Sequence, residues 1–151
     1  MSALTLAPRH WYSWDFFVLD GDRQVAEFNL SSWREKGVVW VDGVDYRLHR
    51  EGAMGDFLLQ REGTVVARAT KPSAFRREFV IRYKEKPYTL RAKAAFSRTF
   101  VVLDGSREIG AIAPERMSTR KAIVNLPDDW PFLLKSFAMW LTIVHWKRDA
   151  S

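Results

Sequence analysis

The sequence predicts a single, mainly β domain: an antiparallel sheet of about eleven short strands that ends in one buried apolar helix. Three observations predict this class. The chain has 151 residues, of which 47% are apolar and 28% charged, an ordinary composition for one globular domain. Runs of β-branched and aromatic residues repeatedly meet a glycine-containing turn and reverse. The C-terminal segment carries apolar side chains on almost every face.

The predicted strands form five hairpins and one last strand. Four hairpins turn at Asp-Gly or Glu-Gly, the strongest local hairpin signal, because the turn needs a positive φ that glycine supplies. These turns are Asp20-Gly21, Asp42-Gly43, Glu62-Gly63 and Asp104-Gly105. The fifth hairpin, 78–83 with 88–92, turns at 84–87, and the last strand is 121–124. A sheet of this size tends to curl or close, which removes its edges.

The hairpins also contain an internal repeat. Residues 16–26 align with residues 100–110 at a spacing of 84 and without a gap, and residues 57–67 are a looser third copy. The repeat indicates that several hairpins are built in the same way.

The C-terminal segment is predicted to be a helix over about residues 131–147. Asp128 and Asp129 precede Pro131, a sequence typical of a helix start. The apolar run 132–146 has 15 residues and spans roughly 22 Å. A bilayer core is about 30 Å thick and needs about 20 apolar residues, so the run is too short to cross it. We therefore expect a helix buried inside the sheet, with His145 near solvent or the rim of the barrel.

Several classes of chemistry are excluded or disfavoured. The chain has no cysteine, which excludes disulfides, thiolate metal sites and a cysteine nucleophile. Its three histidines lie far apart in sequence, and no phosphate-binding or nucleophile-elbow motif is present. We expect no enzyme activity, no metal and no cofactor. The first residues lack a signal-peptide pattern, so we expect a cytoplasmic protein with peripheral membrane contact at most.

The basic residues are concentrated in one stretch. Residues 68–98 contain 10 basic and 2 acidic residues, whereas residues 1–67 contain 7 and 10 and residues 99–151 contain 7 and 6. Strand alternation places four cations on the outward face of the fifth hairpin. The predicted patch consists of Arg82, Lys84, Arg91 and Lys93. Such a patch attracts anions.

A second basic group flanks the predicted loop 72–75. Lys71 precedes this loop, Arg76 and Arg77 follow it, and Phe75 is a candidate for an exposed aromatic side chain. A basic loop with an exposed phenylalanine is suited to the interface of an anionic membrane. For the loop, the alternative is a tip that is packed by its own phenylalanine. For the fifth hairpin, the alternative is a solvated charged face that keeps an edge strand soluble.

The two Phe-x-Val-Leu-Asp-Gly hairpins, 16–21 and 100–105, and the helix 131–146 after a last strand resemble the tubby C-terminal-like superfamily. That superfamily includes the LURP-one-related proteins and the phospholipid scramblases. The resemblance covers about residues 14–147 and implies a closed antiparallel barrel of about twelve short strands around a buried apolar C-terminal helix. The strands would occupy about residues 14–125.

The resemblance also implies a non-enzymatic module that contacts phosphoinositides or membrane surfaces. In tubby proteins, basic residues on the barrel grip the headgroup, and none of them can be matched residue by residue to this chain. Scramblases carry cysteine-rich and calcium-binding segments that this sequence lacks. Three alternatives remain open: a protein-interaction domain, a carrier or enzyme with an internal cavity, and a nucleic-acid binder. The last is disfavoured because Tyr83 and Tyr88 alternate inward instead of stacking outside.

Overall fold

The computed structural model describes residues 3–10, 13–30, 35–73, 76–116 and 119–150. These residues form a closed, twelve-stranded antiparallel barrel with one C-terminal helix, which confirms the predicted fold class. Every strand pairs with its sequence neighbours, and β1 pairs with β12 to close the barrel. The strands are β1 Leu4–Pro8, β2 Phe16–Asp20, β3 Arg23–Leu30, β4 Gly37–Val41, β5 Val44–Arg50, β6 Phe57–Arg61, β7 Thr64–Thr70, β8 Glu78–Tyr83, β9 Lys86–Ala92, β10 Phe100–Asp104, β11 Arg107–Pro114 and β12 Ala122–Asn125.

The helix α1, Phe132–Asp149, lies inside the barrel. Every residue from Ser136 to Trp146 is buried, as expected for a helix that is apolar on all faces. Inward phenylalanines of the strands contact it: the ring of Phe57 lies 5.7 Å from that of Trp140. The helix and the inner faces of the strands therefore form one continuous core. No helix in the described part of the chain is long and apolar enough to cross a membrane.

The strand that sequence analysis missed is β1. It supplies the twelfth strand and pairs with both β12 and β2. The segment is short and ends at Pro8, so its local signal is weak. It becomes a strand because the edges of β12 and β2 offer unpaired backbone groups that it satisfies.

The predicted repeat corresponds to a shared geometry. Hairpins β2–β3, β6–β7 and β10–β11 each begin at a fully buried phenylalanine: Phe16, Phe57 and Phe100. Each has a β-bulge at the second and third positions after it. Since these are every second hairpin, the barrel has an approximate threefold repetition. Each of the three repeated units has four strands. The third consists of β10, β11, β12 and β1, and β1 comes from the opposite end of the chain.

The connections alternate between the two ends of the barrel, because each strand runs opposite to the one before it. We call one end the turn end: its five hairpin turns are two residues each, and the segment 126–131 leads from it into α1. The opposite end, the loop end, carries six connections of six or seven residues and the last turn of α1. This division decides which charged side chains lie together.

Two local predictions need correction. The fifth hairpin turns at Lys84 and Glu85 alone, both with positive φ, so that residues 86 and 87 belong to β9. Pro131 is the residue that caps α1, and no side chain provides a capping hydrogen bond there. The helix otherwise covers the predicted residues and extends two positions further, to Asp149.

Candidate functional site

The two ends of the barrel carry opposite charge. Among the described residues of the connections, the turn end has one basic and six acidic side chains: Lys84 against Asp22, Asp42, Glu62, Glu85, Asp128 and Asp129. The loop end, with residues 147–150 included, has twelve basic and six acidic side chains. The basic ones are Arg9, Lys36, Lys71, Arg76, Arg77, Lys93, Arg98, Arg116, Arg120, Lys121, Lys147 and Arg148, and the acidic ones are Asp15, Glu35, Glu51, Asp56, Glu115 and Asp149. The net charges are −5 and +6, so the chain has a strong charge asymmetry along the barrel axis.

The predicted hairpin patch is divided between these ends. Arg82 and Arg91 point outward and are exposed, as predicted from strand alternation. However, Arg82 lies opposite Pro87 and Arg91 lies opposite Glu78, so they are four residues apart along the sheet, roughly 13 Å. Lys84 lies in the tight turn and Lys93 lies beyond β9 at the loop end. The four cations therefore do not form one patch but two pairs, one near each end.

The second predicted group, in the β7–β8 connection, lies at the loop end. The ammonium group of Lys71 donates to the carbonyl oxygen of Arg76, and its partial burial, with Arg148 nearby, lowers its pKa. Arg77 pairs with Asp149 and thereby ties the connection to the end of α1. Arg76 is exposed. Phe75, the predicted exposed aromatic side chain, lies outside the described residues.

The structure brings part of each predicted group together in one groove. The groove has a volume of about 440 Å³. Its lining includes Arg76 and Arg77 from the β7–β8 connection, Arg91 from the end of β9, and Glu78, whose carboxylate lies 3.8 Å from the guanidinium of Arg76. The main-chain N–H of Ala92 donates to the carbonyl oxygen of Arg77 at 3.0 Å, which holds the two segments side by side. Of the four cations in the predicted hairpin patch, Arg91 therefore lies beside Arg76 and Arg77 in the groove. Lys93 follows Arg91 two residues later in the sequence.

The loop end also carries exposed apolar side chains that sequence analysis missed. Of the described large apolar residues, Phe96 and Met54 are the most exposed, at 98% and 81%. Phe96 has a φ of 64°, a left-handed conformation that an aromatic residue adopts only at a cost in energy. It lies in the turn closed by the hydrogen bond from Ser97 N–H to Ala94 O. The signal was present in the sequence: a lone phenylalanine between two alanines and a serine, flanked by Lys93 and Arg98.

His145 is buried, at 3% exposure, so the expected position near solvent is wrong. Its neighbouring cations belong to the loop end, which agrees with the alternative position near the rim of the barrel. Its ring packs 5.0 Å from Phe79 and 5.4 Å from Phe100. Desolvation and the nearby cations Lys71, Arg148 and Arg77 lower its pKa to about 3, so the imidazole is neutral at physiological pH. No group of three or more potential metal ligands occurs within the described ranges.

The chain was compared with protein-family models, curated proteins and solved structures, and no significant match was found.

Proposed function

We propose that this domain is a non-enzymatic binding module that contacts anionic phospholipid headgroups through its loop end. The observation that carries the proposal is the coincidence, at one end of the barrel, of a +6 charge and the two most exposed described apolar side chains, Met54 and Phe96. The resemblance to the tubby C-terminal-like superfamily supports the same function. The site differs from the one predicted from sequence, because Arg82 and Lys84 belong to the other end.

Both the positive charge and the exposed apolar side chains contribute to binding at a membrane surface. Each lysine or arginine near an anionic leaflet contributes about 1 kcal/mol, and this attraction decays over a Debye length of roughly 8 Å in physiological salt. Only one end of the barrel can lie this close to a flat surface. Burial of an exposed phenylalanine contributes roughly 1.5–3 kcal/mol, which salt does not screen. Contact through the loop end uses both contributions, whereas contact through the turn end would repel the lipid.

Paired charge reversals test which end binds. In vesicle co-sedimentation, neutral vesicles are compared with vesicles containing phosphatidylserine or a phosphoinositide, at low and high salt. The double variant Arg76→Glu/Lys93→Glu should bind anionic vesicles at least roughly thirtyfold more weakly, since two contributions of about 1 kcal/mol are lost. The matched control Arg82→Glu/Lys84→Glu changes the net charge equally at the turn side and should lose much less. Equal losses, or no binding by the unmodified protein, would contradict the proposal.

The aromatic tip has its own test. Phe96→Ser should reduce binding at least roughly tenfold, and the loss should persist at high salt because apolar burial is not screened. Val65→Ser is the matched control, because Val65 is exposed on the barrel wall, at 40%, away from the loop end. A single-stranded oligonucleotide is included as a competitor. If it displaced the vesicles and itself bound through Phe96, the loop end would be a nucleic-acid site instead.

A further inference from the structure

The middle of the barrel's outer wall is charged on one side and uncharged on the other. Away from the turn end, the outward residues of four adjacent strands, β11, β12, β1 and β2, carry no charge: Ala111, Ala113, Ile123, Asn125, Thr5, Ala7, Phe17 and Leu19. The exposed charged residues of these strands, Arg107, Glu108 and Asp20, lie where β11 begins and β2 ends, at the turn end. The opposite wall, formed by β5 and β7 to β9, carries charged outward residues on each strand: Asp45, Arg47, Arg68, Glu78, Arg82 and Arg91. We call the uncharged side the seam face, because β1 and β12 close the barrel there.

One continuous row of side chains crosses the middle of the seam face. The register pairs Ala113 with Ile123, Ile123 with Thr5, and Thr5 with Leu19. Ile123 is 40% exposed and has the small residues Thr5 and Ala113 beside it. Small residues around one protruding aliphatic side chain make a flat surface onto which a second sheet can pack.

The charged ends indicate which partner fits this face. A second copy of the chain that packs on the seam face with its barrel axis reversed would place its turn end, of charge −5, beside the loop end, of charge +6. The turn-end charges that border the face include the carboxylates Asp20, Asp22 and Glu108 and the cation Arg107. The loop-end cations that border it include Arg9 and Lys121. A parallel arrangement would place like charges together, which costs energy.

We propose that the seam face is a homodimer interface in which two barrels pack side by side and antiparallel. A twofold axis crosses the central row, so that the two copies of Ile123 face each other. Such an interface is isologous, with the same patch on both subunits. Four strands at about 4.8 Å make a face only roughly 19 Å wide, so we expect a weak, concentration-dependent dimer. The loop ends then lie at opposite poles and remain accessible.

The first test measures mass against concentration by light scattering or sedimentation equilibrium. Ile123→Lys should raise the dimer dissociation constant at least about tenfold, because two ammonium groups would meet at the axis. Val65→Lys is the matched control, since Val65 is equally exposed, at 40%, on a different part of the wall. Added salt should also weaken the dimer, because it screens the complementary ends. A chain that stays monomeric at every concentration, or a dimer weakened equally by both substitutions, would overturn the proposal.

The second test identifies the face and does not depend on how Ile123→Lys folds. The chain contains no cysteine, so a single introduced cysteine is the only thiol. Packed sheets lie about 10 Å apart, which is too far for a direct disulfide, so a short bismaleimide is used as the cross-linker. Ile123→Cys should give a covalent dimer and Val65→Cys should stay monomeric. Cross-linking of Val65→Cys as efficiently as of Ile123→Cys would refute the seam face as the interface.

Discussion

The two ends of the barrel differ in chain length, conformation and charge. At the turn end, each of five hairpins reverses within two residues, and the net charge is −5. At the loop end, each connection has six or seven residues. The described side chains there carry a net charge of +6 and include the strongly exposed apolar residues Met54 and Phe96. Two-residue turns fix the register of their strands and leave little freedom for other roles. Longer connections are not needed for register, so their side chains are available for binding.

The largest expected effect on stability comes from a substitution in the core, which both ends of the barrel share. Trp140→Ala should lower the free energy of unfolding by about 3–5 kcal/mol, because Trp140 is 1% exposed and its loss leaves a cavity against Phe57 and Phe137. Chemical denaturation followed by circular dichroism measures the change. Lys135→Ala on the same helix is the control and should cost far less, since Lys135 is only partly buried. A chain truncated before residue 131 should not fold. If it stayed folded and soluble, the buried helix would not be what holds the two ends together.

The second largest effect on stability comes from His145, near the loop end, and depends on pH. In the folded protein the pKa of His145 is about 3, against an ordinary value of 6.5, so the unfolded chain binds more protons between these values. Stability is therefore full above pH 6.5 and falls as the pH drops towards 3. A shift of one pKa unit corresponds to about 1.36 kcal/mol, so protonation of His145 lowers the free energy of unfolding by a few kcal/mol at most.

His145→Leu tests this assignment in urea titrations at pH 7.5 and pH 4.5. The variant should lose less stability than the unmodified protein over this interval. His49→Gln is the control: His49 lies on the wall and pairs with Gln60, and its removal should leave the acid sensitivity in place. An unchanged acid loss in His145→Leu would assign that loss to other groups.

The smallest effect concerns the turn end. Gly63 has a φ of 83°, so Gly63→Ala should cost roughly 1–2 kcal/mol, the price of a left-handed conformation for a residue with a Cβ. Glu62→Asn is the matched control, because Glu62 also has a positive φ, 48°, which asparagine adopts more readily than glutamate. Thermal denaturation should rank the asparagine variant at or above the unmodified protein. Neither substitution should change binding to anionic vesicles, and a change in Gly63→Ala alone would mean that the ends are coupled.

Local patterns predicted most of the architecture. The four glycine turns, the inward phenylalanines of the three repeated hairpins and the apolar helix all follow from short-range rules with a period of two residues or 3.6 residues. Arg82 and Arg91 point outward for the same reason. The prediction that they share a patch was wrong because alternation fixes the face of a side chain and not its height along the strand. The register and the exact turn, Lys84-Glu85, decide the height.

Other features were decided by tertiary structure. β1 became a strand because two edges were free to pair with it, and His145 became buried because Phe79 and Phe100 close around that part of the helix. The gathering of Arg76, Arg77 and Arg91 in one groove followed from the register of β8 and β9, which sets Arg91 opposite Glu78, beside Arg77. The gathering of cations from six connections at one end required the whole barrel. An up-and-down barrel imposes this, since alternate connections share an end.

The sequence by itself thus determined the strands, the tight turns, the face of each side chain and an apolar helix that needs to be enclosed. These properties depend on residues within a few positions of each other, where backbone geometry and burial act directly. Only the closed barrel decided that twelve of the described cations lie at the loop end and that the middle of the seam face is uncharged. Charges are solvated and impose no local period, so their grouping follows from strand direction and closure alone.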